Sequence, residues 1–213
     1  MRILLLNGSP RGARANSRIV LDALRSRMGE GHEYRLVETM TGTADSDDLE
    51  VDFIVLAFPL YIDSLHSRLL AWLMSYEALR RQAGAAGRVG MIAVANCGFK
   101  EGVQTKTALD IVAHFCSRAG IEWRGGLGIG TGEMIGVLKG APDEMPIKRP
   151  VSRALAEIAK RVDLGPELAG NIYATHAFPW LLFKLVGQAG WRQQARANGL
   201  GRRDLWARPL VEA

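Results

Sequence analysis

The chain has 213 residues, 48% of them hydrophobic and 23% charged, which is enough for one sizeable buried core. Its two cysteines, Cys97 and Cys116, supply neither the four thiolates of an iron–sulfur cluster nor the close-spaced Cys and His pairs of a structural zinc site, so no metal site is predicted and a reduced, cytoplasmic setting is expected. The net charge of +5 sits late in the chain, with nine Lys and Arg against five acids from Pro150 onward, a balance open to a solvated surface, phosphate-bearing cofactors, an anionic membrane or nucleic acid.

Short β-rich runs alternate with helical patterns, the signature of βαβ units and a parallel sheet. The first strand is Arg2 to Asn7, whose apolar run is too short for a signal peptide, and it is followed by a helix over about Ser17 to Met28. A second strand is read at Glu33 to Glu38. The third, Asp52 to Phe58, is almost continuously apolar, as a central strand covered on both faces must be.

A helix over about Leu65 to Arg80 carries Leu65, Leu69, Trp72, Leu73 and Tyr76 at core spacing. Then come a strand at Val89 to Ala95, a helix near Thr107 to Arg118, a fifth strand from Ile121 to about Ile129 and a helix near Val151 to Val162. The fold class is therefore α/β, a doubly wound parallel sheet of five strands taken in the order 2-1-3-4-5, with helices on both faces. The core domain is expected to cover 1–165. Residues 166–213 are read as a C-terminal helical extension, serving as a dimer contact or a cover for the site.

In that strand order the loops after strands one, three and four share the crevice where the winding reverses. The first loop, Asn7 to Ser17, is rich in glycine, hydroxyls and cations, with Gly8 admitting a close backbone, Ser9 and Ser17 offering hydroxyls and Asn16 or Ser17 serving as the helix N-cap. It has neither the Walker spacing nor Gly-x-Gly-x-x-Gly. Pro59-Leu60-Tyr61 ends strand three with an aromatic, and Asn96-Cys97-Gly98-Phe99 ends strand four with a glycine and another aromatic. Together they suit an extended phosphate ester bearing a flat heteroaromatic ring.

These runs, with Glu101 and the Gly125 to Gly130 stretch, resemble the NADPH-dependent FMN reductase family of flavodoxin-like NAD(P)H-dependent oxidoreductases, over roughly residues 1–135. The resemblance implies an FMN-dependent enzyme in which Ser9, Arg11, Asn16 and Ser17 hold the phosphate. Pro59, Leu60 and Tyr61 would flank the isoalloxazine, and Asn96, Gly98 and Phe99 would close its other edge. NADPH or NADH would be the reductant and a small molecule, such as a flavin or quinone, the acceptor. His66 and Lys100 stand where the family often has proline.

The chemistry would lie on FMN, so no catalytic side chain is named. The alternative is a flavodoxin-type electron carrier, or an FMN-binding partner protein, without its own NAD(P)H turnover. Cys97 is read as a space-filling thiol, Cys116 as core, and His32 and His176 as surface or packing residues. The glycine run Gly125 to Gly136 is read as a mobile loop beside the flavin. The apolar stretch Asn171 to Trp191 is expected to bury against a second copy in a homodimer or larger homo-oligomer, ahead of membrane-surface contact. Nucleic acid is not an expected partner, because interleaved surface aromatics and a recognition motif are missing.

Overall fold

The structure, a computed structural model, describes residues 1–84, 87–164, 170–201 and 203–207. The chain divides into two compact units, Met1–Ala177 and Phe178–Ala213. The expected boundary at residue 165, and Arg202 and Arg208 of the basic tail, lie outside the described residues. The first unit contains β1 (Arg2–Asn7), α1 (Asn16–Arg25), β2 (Glu33–Glu38), β3 (Phe53–Pro59), α2 (Ser67–Gln82) and β4 (Gly90–Asn96). It continues with α3 (Lys106–Ala119), β5 (Glu122–Gly130), α4 (Glu133–Val137), α5 (Arg149–Leu164) and β6 (Ile172–Thr175). The second unit holds α6 (Trp180–Ala197), on which Trp180, Leu181, Leu182, Leu185, Val186 and Trp191 are exposed.

All strand pairs are parallel and run in the order β2-β1-β3-β4-β5-β6. The fold is thus the flavodoxin-like α/β sheet, with the expected 2-1-3-4-5 order and one strand more than expected. β6 pairs Leu127 with Ile172 through Gly130 with Thr175. Four residues long, it sits inside a stretch whose composition reads as an apolar extension, so its periodicity is too short to stand out.

Side chains alternate across the pleat, and both faces are covered. Leu4, Leu6, Ile54, Leu56 and Phe58 pack with Leu69, Trp72 and Tyr76 of α2 and Leu109 and Val112 of α3. Ile3, Leu5, Val55, Ala57, Ile92 and Val94 face the other way, onto Val20, Leu21 and Leu24 of α1 and Leu155, Ile158 and Val162 of α5. Each fully buried Leu or Ile contributes about 1.5–3 kcal/mol. That is why β1, β3 and β4 are apolar almost throughout rather than alternating.

The glycine run divides in two: Gly125 to Gly130 lie within β5, as the fifth-strand reading has it, and Glu133 to Val137 form α4 where a loop was expected. Gly125, at φ +90°, lies where the β4–β5 register shifts between Met91 and Ala93. Gly128 is required by close approach: a Cβ there would stand 2.2 Å from Thr105 Oγ1 and 2.6 Å from the Gly102 carbonyl. The 3-10 turn Gly102–Thr105 thus packs directly on the strand, an arrangement that a loop reading misses because both glycine roles look alike in sequence.

Candidate functional site

The C-terminal ends of β1, β3 and β4 open on one polar cleft of about 180 Å³. Ser9, Arg11, Asn16, Ser17, Pro59, Leu60, Tyr61, Asn96 and Gly98 line it, so nine of the ten residues named from the sequence come together. Phe99 does not line it. Its side chain is 55% exposed, and its carbonyl accepts the Thr131 N–H at 2.6 Å. Ala15, Cys97, Gly132 and Glu133 also line the cleft. The Asn16 amide, which donates to the Gly132 carbonyl at 2.9 Å, brings in the turn after β5, a contact that no local pattern encodes.

Asn96 is the hub. Buried at the end of β4, it donates from Nδ2 to Ser17 Oγ at 3.2 Å and to the Phe58 carbonyl at 3.1 Å, while its main-chain carbonyl accepts the Leu60 N–H at 2.8 Å. One side chain therefore holds the start of α1 and the exits of β3 and β4 at fixed distances. Asn7 shapes the first loop from beneath. It donates to the Gly12 carbonyl at 2.9 Å and to Glu38 at 2.7 Å, and accepts the Ser9 N–H at 3.2 Å.

The N-terminus of α1 is uncapped. Its N-cap is Ala15 rather than Asn16 or Ser17, and no side chain bonds the first turn. Asn16 and Ser17 are the first helical residues, with side chains committed to Gly132 and Asn96. Among the described residues neither of their main-chain N–H groups finds an acceptor, and the Arg11 guanidinium makes no ion pair. Free N–H groups, the positive end of the helix dipole and a free cation form an anion cradle.

Gly8 has a task beyond the one expected. A Cβ there would lie 2.7 Å from Leu69 Cδ2 and 2.9 Å from Phe58 Cβ, so its smallness lets α2 close onto the sheet. Gly98 is the reverse case: among the described residues other than its chain neighbours, a Cβ on it meets no atom within 4 Å, and Gly98 itself lines the cleft.

The opposite wall is a tight hairpin. Tyr61 and Ser64 exchange both main-chain bonds, at 3.0 and 2.9 Å, while Ile62 and Asp63 lie at φ +47° and +59°. That is the geometry of a primed turn, usually built with Asn and Gly. Ile62 is 98% exposed, so no packing compensates for its strained backbone. Thr131, at φ +53°, is the other β-branched outlier beside the cleft. The Tyr61 ring is edge-on to His66 at 5.1 Å, and His66 caps α2 by accepting the Arg68 N–H at 3.2 Å. Burial pushes the Cys97 thiol above its ordinary value, which disfavours the thiolate.

These groups fit a phosphate-bearing planar cofactor: the α1 N-terminus and Arg11 for the anion, and Tyr61 with the Asn96–Gly98 turn for the ring. No metal-ligand cluster of three or more His, Cys, Asp or Glu occurs among the described residues. Nor is any helix of theirs long and apolar enough to cross a membrane.

No protein-family model matches the chain, and no curated protein matches it. Among solved structures, oxidised flavodoxin 1 from Bacillus cereus is similar with a TM-score of 0.51 at 11% identity, over 78% of this chain and 99% of that one. An FMN-dependent NADH-azoreductase from Bacillus anthracis gives 0.46 at 10% identity, over 76% and 100%. A rubredoxin oxygen:oxidoreductase from Desulfovibrio gigas gives 0.42 at 11%, over 78% of this chain but only 37% of the other. At such scores the last two carry no functional weight. What the strand order and the flavodoxin match establish together is the flavodoxin-like fold.

Proposed function

We propose that the cleft binds FMN and that the protein is an NAD(P)H-dependent flavin oxidoreductase passing hydride from a nicotinamide through FMN to a small acceptor such as a flavin or quinone. The observation that carries the reading is the Asn96 side chain joining three loops around a cleft that has an unsatisfied anion cradle at one end and Tyr61 at the other. Ser9, Arg11 and the N–H groups of Asn16 and Ser17 would hold the phosphate. Pro59, Leu60 and Tyr61 would border the ring, and Asn96 and Gly98 would flank its far edge.

FMN, when bound, supplies the two-electron chemistry. The protein's share is position and backbone donors, a role that requires no acid–base pair in the cleft. The exposed apolar side chains of α6 are assigned to burial against a second copy of the chain, to be checked by sedimentation with and without residues 178–213.

The test is the visible spectrum of the purified protein after FMN titration, followed by anaerobic addition of NADH and of NADPH. Uptake of FMN with a flavin spectrum, bleached by either nicotinamide without a partner protein, is the expected result. Uptake without bleaching would give the electron carrier instead, and failure to take up FMN would overturn the reading.

A further inference from the structure

A second opening lies away from the cofactor cleft, between α1, α4 and α5, with a volume of about 300 Å³. That is the lower end of the range for small-molecule sites, roughly 300–1,000 Å³, whereas voids in packed cores rarely exceed a water molecule. Its walls are apolar, formed by Ile19, Val20, Ala23, Ile135, Leu138 and Leu155. Ile19 and Ala23 remain partly exposed there, although their neighbours Val20 and Leu155 are buried. A fold shaped for stability alone would close this space, because unfilled apolar wall forfeits burial energy.

The rim is polar and cationic. Asp143 is bound by Arg27, by Lys148 at 2.9 Å and by the Ser152 hydroxyl at 3.2 Å, which closes a network in which one carboxylate faces two cations. Asp22 is engaged by Arg18 at 3.1 Å. Lys139 also lines the opening, and among the described residues its ammonium group makes no ion pair or hydrogen bond. Buried His176 lines the inner wall, with its Nδ1 2.9 Å from Thr131 Oγ1 and its main-chain N–H donating to the same oxygen at 3.2 Å.

We propose that this cavity is a second ligand site, taking a monocarboxylate with a compact apolar body, aromatic or branched, whose body fills the space over Ala23 and Leu155 and whose carboxylate meets Lys139. An apolar pocket with few polar groups at its mouth selects such amphipathic anions over either half alone. The site does not depend on FMN, although α1 and α4 line both openings: Asn16, Ser17 and Glu133 line the cofactor cleft, and Ala23 and Ile135 line this one.

The experiment titrates the full-length protein with phenylacetate, with uncharged phenylacetamide and with acetate, by calorimetry and by the histidine-ring NMR signals, with and without FMN. Phenylacetate is expected to bind with a Kd of about 1 mM or tighter, and the two partial probes and Lys139→Glu to be weaker by about tenfold. The His176 ring signal should move, Ala23→Phe should abolish binding, and FMN should not compete. No phenylacetate binding to the native protein, binding that survives Ala23→Phe, or displacement by FMN would overturn the proposal. Failure to bind FMN would leave this test intact and sink only the cofactor reading.

Discussion

The Asn96 amide and the Ser17 hydroxyl, 79 residues apart in the chain, meet at 3.2 Å beneath the cleft, with both side chains buried. This contact converts three independent loops into one rigid edge. Asn96→Ala would leave the Phe58 carbonyl and Ser17 Oγ without their donor, at a cost of about 1–3 kcal/mol in stability. Urea denaturation checks that loss, and FMN titration of the folded variant should show at least about tenfold weaker binding.

Arg11 is poised for the phosphate rather than the ring. Arg11→Ala is expected to weaken FMN binding about tenfold while leaving binding of riboflavin, which has no phosphate, unchanged. Equal losses for both flavins, measured by fluorescence quenching, would place the phosphate elsewhere.

The two glycines that matter most should respond in opposite ways. Gly128→Ala drives a methyl into the Gly102 carbonyl and Thr105 hydroxyl and should cost about 1–3 kcal/mol or more, read as a lower melting temperature. Gly98→Ala meets no atom of the described residues beyond its chain neighbours, so stability should be unchanged while FMN binding falls. A stable Gly128→Ala variant would contradict the close packing on β5.

Ile62 holds a left-handed backbone with nothing packed against it. Ile62→Asn, a residue that tolerates that conformation, should stabilise the protein by about 1 kcal/mol. Chemical denaturation would show the gain, and no gain would mean that the turn relaxes in solution.

His176 gives the fold a pH dependence. Burial pushes its imidazole below the ordinary value, and the Lys148 charge adds to this against the opposing effect of the Gly130 and Thr131 backbone. The unfolded state, near pKa 6.5, therefore binds the proton more readily. The stability contributed by neutral His176 is full above about pH 6.5 and is lost as the pH falls below that value toward the depressed folded-state pKa. Asp143, held below its ordinary value chiefly by Lys148 and also by Arg27, contributes in the same direction only at lower pH, as the pH falls through the carboxylate range. Denaturation midpoints between pH 7 and 5 should thus decline in the native protein and run flatter in His176→Asn.

Much of this molecule is legible in the amino-acid order, because burial on both faces forces β1, β3 and β4 to be apolar throughout and leaves polar, glycine-bearing turns only at their ends. That pattern marks the central strands and the loops that carry the cleft, and nine of the ten named residues line it. Other assignments depend on which atoms arrive from distant segments. Gly8 also makes room for Leu69 and Phe58, Phe99 is not among the residues that line the cleft, the end of the glycine run becomes α4, and β6 extends the sheet. Periodicity reports how often a residue is buried, not what it is buried against. The Asn96 hub, the Asn16–Gly132 tie and the cavity over Ala23 exist only once helices and strands are packed, and so tertiary structure alone decided them.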